Sequence, residues 1–170
     1  MVLVLAVILV ACGSTATSSS STTSSTTTTS IPVIAEGSVG AYLDVPNTSV
    51  VAGGELDATV VVVNRTGAPI SIASCGPYFY SAGFESDTVT RTDPPFFTCM
   101  GPPVSLPVGE SRWPVTASAL SSSCGGTGAQ PTPACVDGRP PSLPTGDYRL
   151  VVGVADPRAP IPAKVDVTIR

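Results

Sequence analysis

The chain has 170 residues, of which 12% are charged, and its formal net charge at pH 7 is −4. Nucleic-acid binding needs clustered Lys and Arg, and the 8 basic residues of this acidic chain give no such footprint. The chain has no His, which excludes Ser-His-Asp and Cys-His catalytic units and histidine metal ligands. The sequence contains neither of the glycine-rich phosphate-binding motifs G-x-x-x-x-G-K and G-x-G-x-x-G. We therefore expect no nucleic-acid partner, no metal, no cofactor and no enzymatic activity.

The first segment is an apolar run of ten residues, 2–11, that ends at Cys12. A helix that spans a bilayer needs about 20 apolar residues, whereas a run of this length is typical of a secretory signal peptide. The residues Leu-Val-Ala before Cys12 resemble a bacterial lipobox, in which cleavage leaves the cysteine as the new amino terminus and its thiol carries diacylglycerol. We predict a signal peptide over residues 1–11, acylation (palmitate included) of Cys12, and a mature protein anchored extracytoplasmically on the cell membrane.

The alternatives are an ordinary secretory signal, in which Cys12 has no special role, and a buried hydrophobic strand. Signal peptides begin with positive residues, and none of residues 1–11 is Lys or Arg. We therefore expect the natural translation start to lie upstream.

A polar tether follows the cysteine. Residues 14–30 are Ser or Thr at every position except Ala16. Such a segment has nothing to bury, so we predict a disordered linker that, with the lipidated cysteine, spans residues 12–30. Its mean reach is about 20–25 Å. This arrangement resembles lipoproteins of high-GC Gram-positive bacteria, including mycobacteria, and such tracts are typical of glycosylated stalks.

Beyond residue 30, short apolar runs alternate with turns, and no stretch has the 3.6-residue period of a helix. The clearest strand is 163–170, in which Ala163, Val165, Val167 and Ile169 alternate with polar residues. The pattern predicts a single all-β domain over residues 31–170, an antiparallel sandwich of seven or eight strands. Strands are expected at 39–45, 56–64, 69–74, 78–84, 111–117, 147–154 and 163–170.

Two motifs resemble immunoglobulin-like (Ig-like) domains. The run LPTGDYRLVV (143–152) is similar to the tyrosine corner, in which a Tyr, here Tyr148, returns its hydroxyl to the backbone a few residues upstream. The run VVAGGELDATVVVVNRTGAPISI (50–72) resembles the B–C hairpin of bacterial Ig-like domains. Together they look like the intracellular proteinase inhibitor (BsuPI-like) family, which implies an Ig-like β-sandwich. No reactive-loop motif is recognisable, so the resemblance carries over no inhibitory residue.

Four further cysteines, Cys75, Cys99, Cys124 and Cys135, make an even number in an exported chain and so indicate disulfides. Three pairings are possible. We favour Cys75–Cys99 and Cys124–Cys135, because each pair is nearest in sequence and closes an insertion rich in Pro and Gly. A zinc site built from all four cysteines is the alternative, but the chain has no C-x2-C knuckle.

Two features remain as possible sites. Glu85 and Asp87 are paired acids that could bind Ca²⁺ or act as glycosidase carboxylates, but their polar surroundings favour a solvated turn. Four aromatic residues, two from the predicted strand 78–84 and two from the apolar loop 93–103, form a possible interaction patch. The alternative is that the loop folds over the end of the sandwich and its two Phe side chains belong to the core. The patch comprises Tyr78, Tyr80, Phe96 and Phe97.

These features lead us to expect a lipid-anchored cell-envelope protein whose Ig-like module has a binding or structural role. Its partners would be the membrane, through the lipid on Cys12, and another envelope protein. Two alternatives stay open: an envelope protease inhibitor that acts through a disulfide-bounded loop, and a small-ligand carrier. A carrier would show a cavity on the order of several hundred Å³.

Overall fold

A computed structural model describes residues 32–74, 79–89, 92, 101–126 and 132–170. Within these residues the fold is all-β, and no helix is long and apolar enough to cross a membrane. The described part of the chain contains nine strands: β1 (Val39–Asp44), β2 (Ser49–Val50), β3 (Glu55–Asn64), β4 (Ile70–Ile72), β5 (Tyr80–Glu85), β6 (Val104–Leu106), β7 (Gly109–Ser118), β8 (Gly146–Val154) and β9 (Val165–Ile169).

The strands form a sandwich of two main sheets. One sheet has the order β1-β3-β7 and is antiparallel throughout, and the other has the order β2-β9-β8-β5. The short β2 pairs in parallel with β9, while β8 is antiparallel to both of its neighbours. Strands β4 and β6 form a separate antiparallel pair. This order matches the immunoglobulin arrangement, with β1, β3 and β7 at positions A, B and E and β5, β8 and β9 at C, F and G.

The core lies between the two main sheets. Alternation along β3 directs Leu56, Ala58, Val60 and Val62 inward, where they pack against apolar residues of β5, β8 and β9 such as Phe84. Val61 points to the other face of β3 and is also fully buried. Its register neighbours there are Tyr42 and Arg112. The period-two pattern of the sequence thus produces the inward face of each long strand.

A buried Asn ends β3 and secures the small sheet. The side chain of Asn64 is 1% exposed, and its Nδ2 donates to the carbonyl oxygens of Ala68 at 2.9 Å and Leu106 at 3.1 Å. Its Oδ1 accepts from both the N–H and the hydroxyl of Thr66. Because a buried amide without partners would cost about 1–3 kcal/mol, this residue ties the turn after β3 to the strand β6.

The prediction of an all-β sandwich is confirmed. Each of the seven predicted strands overlaps a strand of the structure, and no end differs by more than two residues. Strands β2 and β6 were not predicted, because two or three residues are too few to show a period of two.

The register of β1, β3 and β7 defines two ends of the sandwich. Val39, Asn64 and Gly109 lie together at the end where the chain enters β1, and we call this the tether end. Glu55 and Ser118 pair at the opposite end, which we call the distal end. Ten strand residues separate the two ends, which corresponds to about 30 Å.

Candidate functional site

The predicted aromatic patch is wrong at Tyr80. This residue is 5% exposed and lies in the core, where its hydroxyl donates to the carbonyl oxygen of Pro160 at 2.8 Å. Burial raises the pKa of the Tyr80 hydroxyl. The residue faces inward because β5 directs Tyr80, Ala82 and Phe84 to the same side, toward the other sheet. The preceding residue, Phe79, is buried too.

Phe79 is buried because it precedes the strand and escapes the alternation. Its ring lies edge-on to Trp113, with centroids 4.5 Å apart, and 4.3 Å from the ring of Tyr80. Trp113 is half-buried against the core, and its Nε1 donates to the hydroxyl of Ser111 at 3.1 Å. The aromatic residues of the described part near this point therefore form core contacts.

Several predicted site residues lie outside the described residues: Cys12, Cys75, Tyr78, Phe96, Phe97 and Cys99. The described residues that flank the first predicted disulfide do meet. Gly101 donates its N–H to the carbonyl oxygen of Ser74 at 3.1 Å, and the Ser74 hydroxyl donates to the carbonyl oxygen of Pro102 at 2.7 Å. The Cys75–Cys99 pairing stays a prediction, and the contact between its neighbours is compatible with it.

The second predicted pair, Cys124 and Cys135, forms a disulfide, with Cα atoms 4.9 Å apart. It belongs to the segment 121–141, which leaves and rejoins the sandwich at the distal end. There the Ser121 N–H donates to the carbonyl oxygen of Pro141 at 2.9 Å. We call this segment the distal insert, of which residues 121–126 and 132–141 are described.

Tyr148 makes the contact that the tyrosine corner implies. Its hydroxyl donates to the carbonyl oxygen of Pro144, four residues upstream, at 2.9 Å. The ring is 6% exposed and lies edge-on to Phe84 at 6.3 Å. Burial raises the pKa of the Tyr148 hydroxyl. This contact fixes the turn between the distal insert and β8.

An open groove of about 490 Å³ lies on the outer face of the four-stranded sheet. Antiparallel register places Arg149 on β8 between Glu85 of β5 and Asp166 of β9. Two further carboxylates line the groove. Asp87 lies in the turn after β5, and Asp147 occupies the outward-facing position before Arg149 on β8. The groove thus contains four carboxylates and the guanidinium of Arg149. The two acids that the sequence singled out, Glu85 and Asp87, thus share a groove.

Ion pairs occupy much of this groove. The Arg149 Nε lies 3.3 Å from Glu85 Oε1, and its guanidinium lies 3.4 Å from Asp87 Oδ1. Lys164 also forms an ion pair with Glu85, whose side chain is only 18% exposed. The Arg149–Asp87 pair, whose carboxylate is 97% exposed, contributes little to stability. Because Arg149 and Lys164 both form ion pairs with the Glu85 carboxylate, we assign this residue a structural role.

Sequence reasoning missed a buried carboxylate, Asp156, in the loop after β8. Its Oδ2 accepts the N–H of Ala73 at 2.7 Å, and its two oxygens accept a forked set of bonds from the Arg158 guanidinium and backbone. The Arg158 side chain, followed by these N–H groups, holds the pKa of the Asp156 carboxyl well below its usual range. The only signal in the sequence is the turn-forming Asp-Pro-Arg after an apolar strand. Asp156 joins this loop to the end of the segment that precedes Cys75.

Among the described residues, no group of three or more Asp, Glu, Cys or His side chains could hold a metal ion. The sequence matches no protein-family model and no curated protein sequence.

Proposed function

We propose that the protein is a lipid-anchored cell-envelope protein whose sandwich is a non-enzymatic module that binds another envelope protein. The observation that carries the proposal is the position of Cys12, between a ten-residue apolar run and the Ser/Thr tether 14–30. One short acyl chain gives marginal attachment, whereas two or more hold a protein stably on a membrane surface. A tether of that length would then separate the sandwich from the lipid.

The folded part supports this proposal in two ways. The disulfide Cys124–Cys135 is of the kind that persists in an oxidising compartment, as expected outside the cytoplasm. The acids most enclosed by neighbouring groups, Glu85 and Asp156, accept ion pairs or hydrogen bonds from basic side chains. These are structural tasks, and they support a binding or scaffolding role over acid–base catalysis.

The alternatives receive less support. The groove beside Arg149 is open and lined by charged groups, whereas a small-ligand carrier is expected to enclose its ligand in a mostly apolar pocket. The order of the strands and the Tyr148–Pro144 hydrogen bond support an Ig-like sandwich in general, and the relationship to BsuPI-like domains remains a proposal from the sequence motifs. The loop that protease inhibition would use is the predicted Cys75–Cys99 segment, whose two cysteines lie outside the described residues. Since the sequence has no recognisable reactive-loop motif, we place binding ahead of protease inhibition.

The anchor is tested by Cys12→Ala, with Ser14→Ala in the tether as a matched control. Wild type and the control should incorporate labelled palmitate and fractionate with the membrane. Cys12→Ala should lose the label and either enter the medium or keep its signal peptide. If wild type carries no lipid mass and Cys12→Ala fractionates as wild type does, lipid anchoring is wrong.

The binding role is tested by crosslinking on intact cells with the tether preserved, followed by affinity purification. A discrete crosslinked species that contains a second envelope protein is the expected result. If the membrane-bound protein crosslinks only to lipid, or to nothing, the binding role is wrong and a structural role is the remaining interpretation.

A further inference from the structure

The distal insert is held by a disulfide and a backbone hydrogen bond, although most of its described residues are exposed to solvent. The disulfide Cys124–Cys135 closes it, and Gly125 donates its N–H to the Pro133 carbonyl oxygen at 2.9 Å. Residues 133–139 are nevertheless all exposed, and the side chain of Val136 is 59% exposed. An apolar core therefore does not account for the order of this segment.

A two-residue hairpin forms the exposed part of the insert. Val136 and Arg139 exchange both backbone hydrogen bonds, at 2.9 and 3.0 Å, across the turn residues Asp137 and Gly138. Both turn residues have positive φ, 49° and 74°, as this tight turn requires. Asp137 is the one non-glycine residue with positive φ among those that the structure describes. Such a conformation carries a cost for any residue with a Cβ, and contact with the core does not offset it here.

The hairpin presents an apolar and a cationic side chain together. Because Val136 and Arg139 are directly paired, their side chains lie on the same face. Most basic residues of the described part form ion pairs: Arg65, Arg112, Arg149, Arg158 and Lys164. Within that part, Arg139 and the last residue, Arg170, form none. The guanidinium of Arg139 is thus a cation without an ion pair among the described residues, and the same turn carries the carboxylate of Asp137.

The position of the insert fits a contact away from the membrane. The chain enters β1 at the tether end, where Gly37 bonds to Arg65. The insert leaves β7 after Ser118, at the distal end, and its base is held by Ala119 and Leu143, both buried. The base of the insert and the entry to β1 thus lie at opposite ends of the ten-residue strand β3, about 30 Å apart.

We propose that the hairpin of the distal insert is the partner-binding surface of the module, and that the partner is a protein with an acidic recess bordered by apolar surface. Arg139 would enter the recess and Val136 would cover its apolar border. This assignment rests on the proposed binding function and adds the site and the chemistry of the partner. A loop that is ordered before binding loses less conformational entropy on association. The disulfide and the backbone hydrogen bonds of the insert would therefore favour binding. Arg is also among the residues most often found at the centre of protein interfaces.

Site-specific photo-crosslinking of the full-length, lipidated protein in intact cells of its own species tests the proposal. The photoreactive residue p-benzoylphenylalanine replaces Val136 in one strain and Val108, a valine that is 52% exposed near the tether end, in another. We expect a discrete protein adduct from position 136 and none from position 108. Mass spectrometry should identify an envelope protein with clustered Asp and Glu at the crosslinked peptide.

Charge variants make the test specific. Arg139→Glu in the position-136 strain should reduce the adduct at least about tenfold, because it reverses the charge that meets the recess. Arg170→Glu makes the same change in net charge on the sandwich and should leave the adduct unchanged. Both residues are exposed, and thermal unfolding of the two variants should match wild type.

Three results would overturn the inference: no adduct from position 136, equal adducts from 136 and 108, or an adduct that survives Arg139→Glu. Membrane fractionation of the same strains separates this failure from that of the anchor. An adduct found only through a groove position such as Thr168 would keep a binding function and reject the distal insert as its site.

Discussion

Removal of the Tyr148 hydroxyl tests the link between sequence and fold most directly. Tyr148→Phe keeps the ring against Phe84 but deletes the 2.9 Å hydrogen bond to Pro144. Pro144 is exposed, so water can reach its carbonyl group in the variant. The expected cost is therefore the net value of one hydrogen bond, about 1 kcal/mol, and not the larger penalty for an unsatisfied buried acceptor.

The corresponding change in melting temperature follows from the size of the domain. Unfolding entropy is about 2.1 cal/mol/K per residue, so roughly 140 residues give about 0.3 kcal/mol/K. A loss of about 1 kcal/mol then lowers Tm by about 3–4 °C. Calorimetry or circular dichroism on residues 31–170, with disulfides intact, can resolve a shift of this size.

A second tyrosine provides the control. Tyr42 is half-buried on β1, and its hydroxyl makes no hydrogen bond within the described residues. Tyr42→Phe should leave Tm unchanged. If Tyr148→Phe melts with wild type, or no lower than Tyr42→Phe, the hydroxyl does not stabilise the turn and the tyrosine corner is refuted as a source of stability.

Three further predictions concern stability and covalent structure. Asp156→Asn should destabilise the domain, because the Ala73 N–H and the neighbouring guanidinium lose a charged acceptor. The folded pKa of Asp156 is lowered, so its stabilisation is complete above the unfolded value of about 3.9 and is lost as pH falls below it. Denaturant titrations at falling pH should show this loss in wild type but not in Asp156→Asn. The folded pKa of Tyr80 is raised, so its stabilisation is complete below about pH 10 and declines as pH rises further; Tyr80→Phe should flatten the alkaline limb of the stability profile. Non-reducing peptide mapping of the exported protein should link Cys75 to Cys99, and free thiols there would contradict the pairing.

The sequence by itself predicted those features that depend on residues close in the chain. Period-two alternation predicts β9 and the inward face of β3, because the alternation is a direct consequence of strand geometry. The Tyr148–Pro144 bond spans four residues, and the disulfide Cys124–Cys135 spans 11, so local spacing was enough to suggest both.

Tertiary structure decided the features that depend on distant segments meeting. Asp156 is buried because Ala73, 83 residues away, lies beside it. Tyr80 faces inward because the opposite sheet covers β5, and no pattern within one apolar aromatic run could show which side that would be. Glu85 and Arg149 are 64 residues apart in the chain, and they meet because the register of β5 and β8 pairs them. Local sequence determines which side chains share a face of a strand, whereas only the packing of the sheets determines whether that face meets a partner or water.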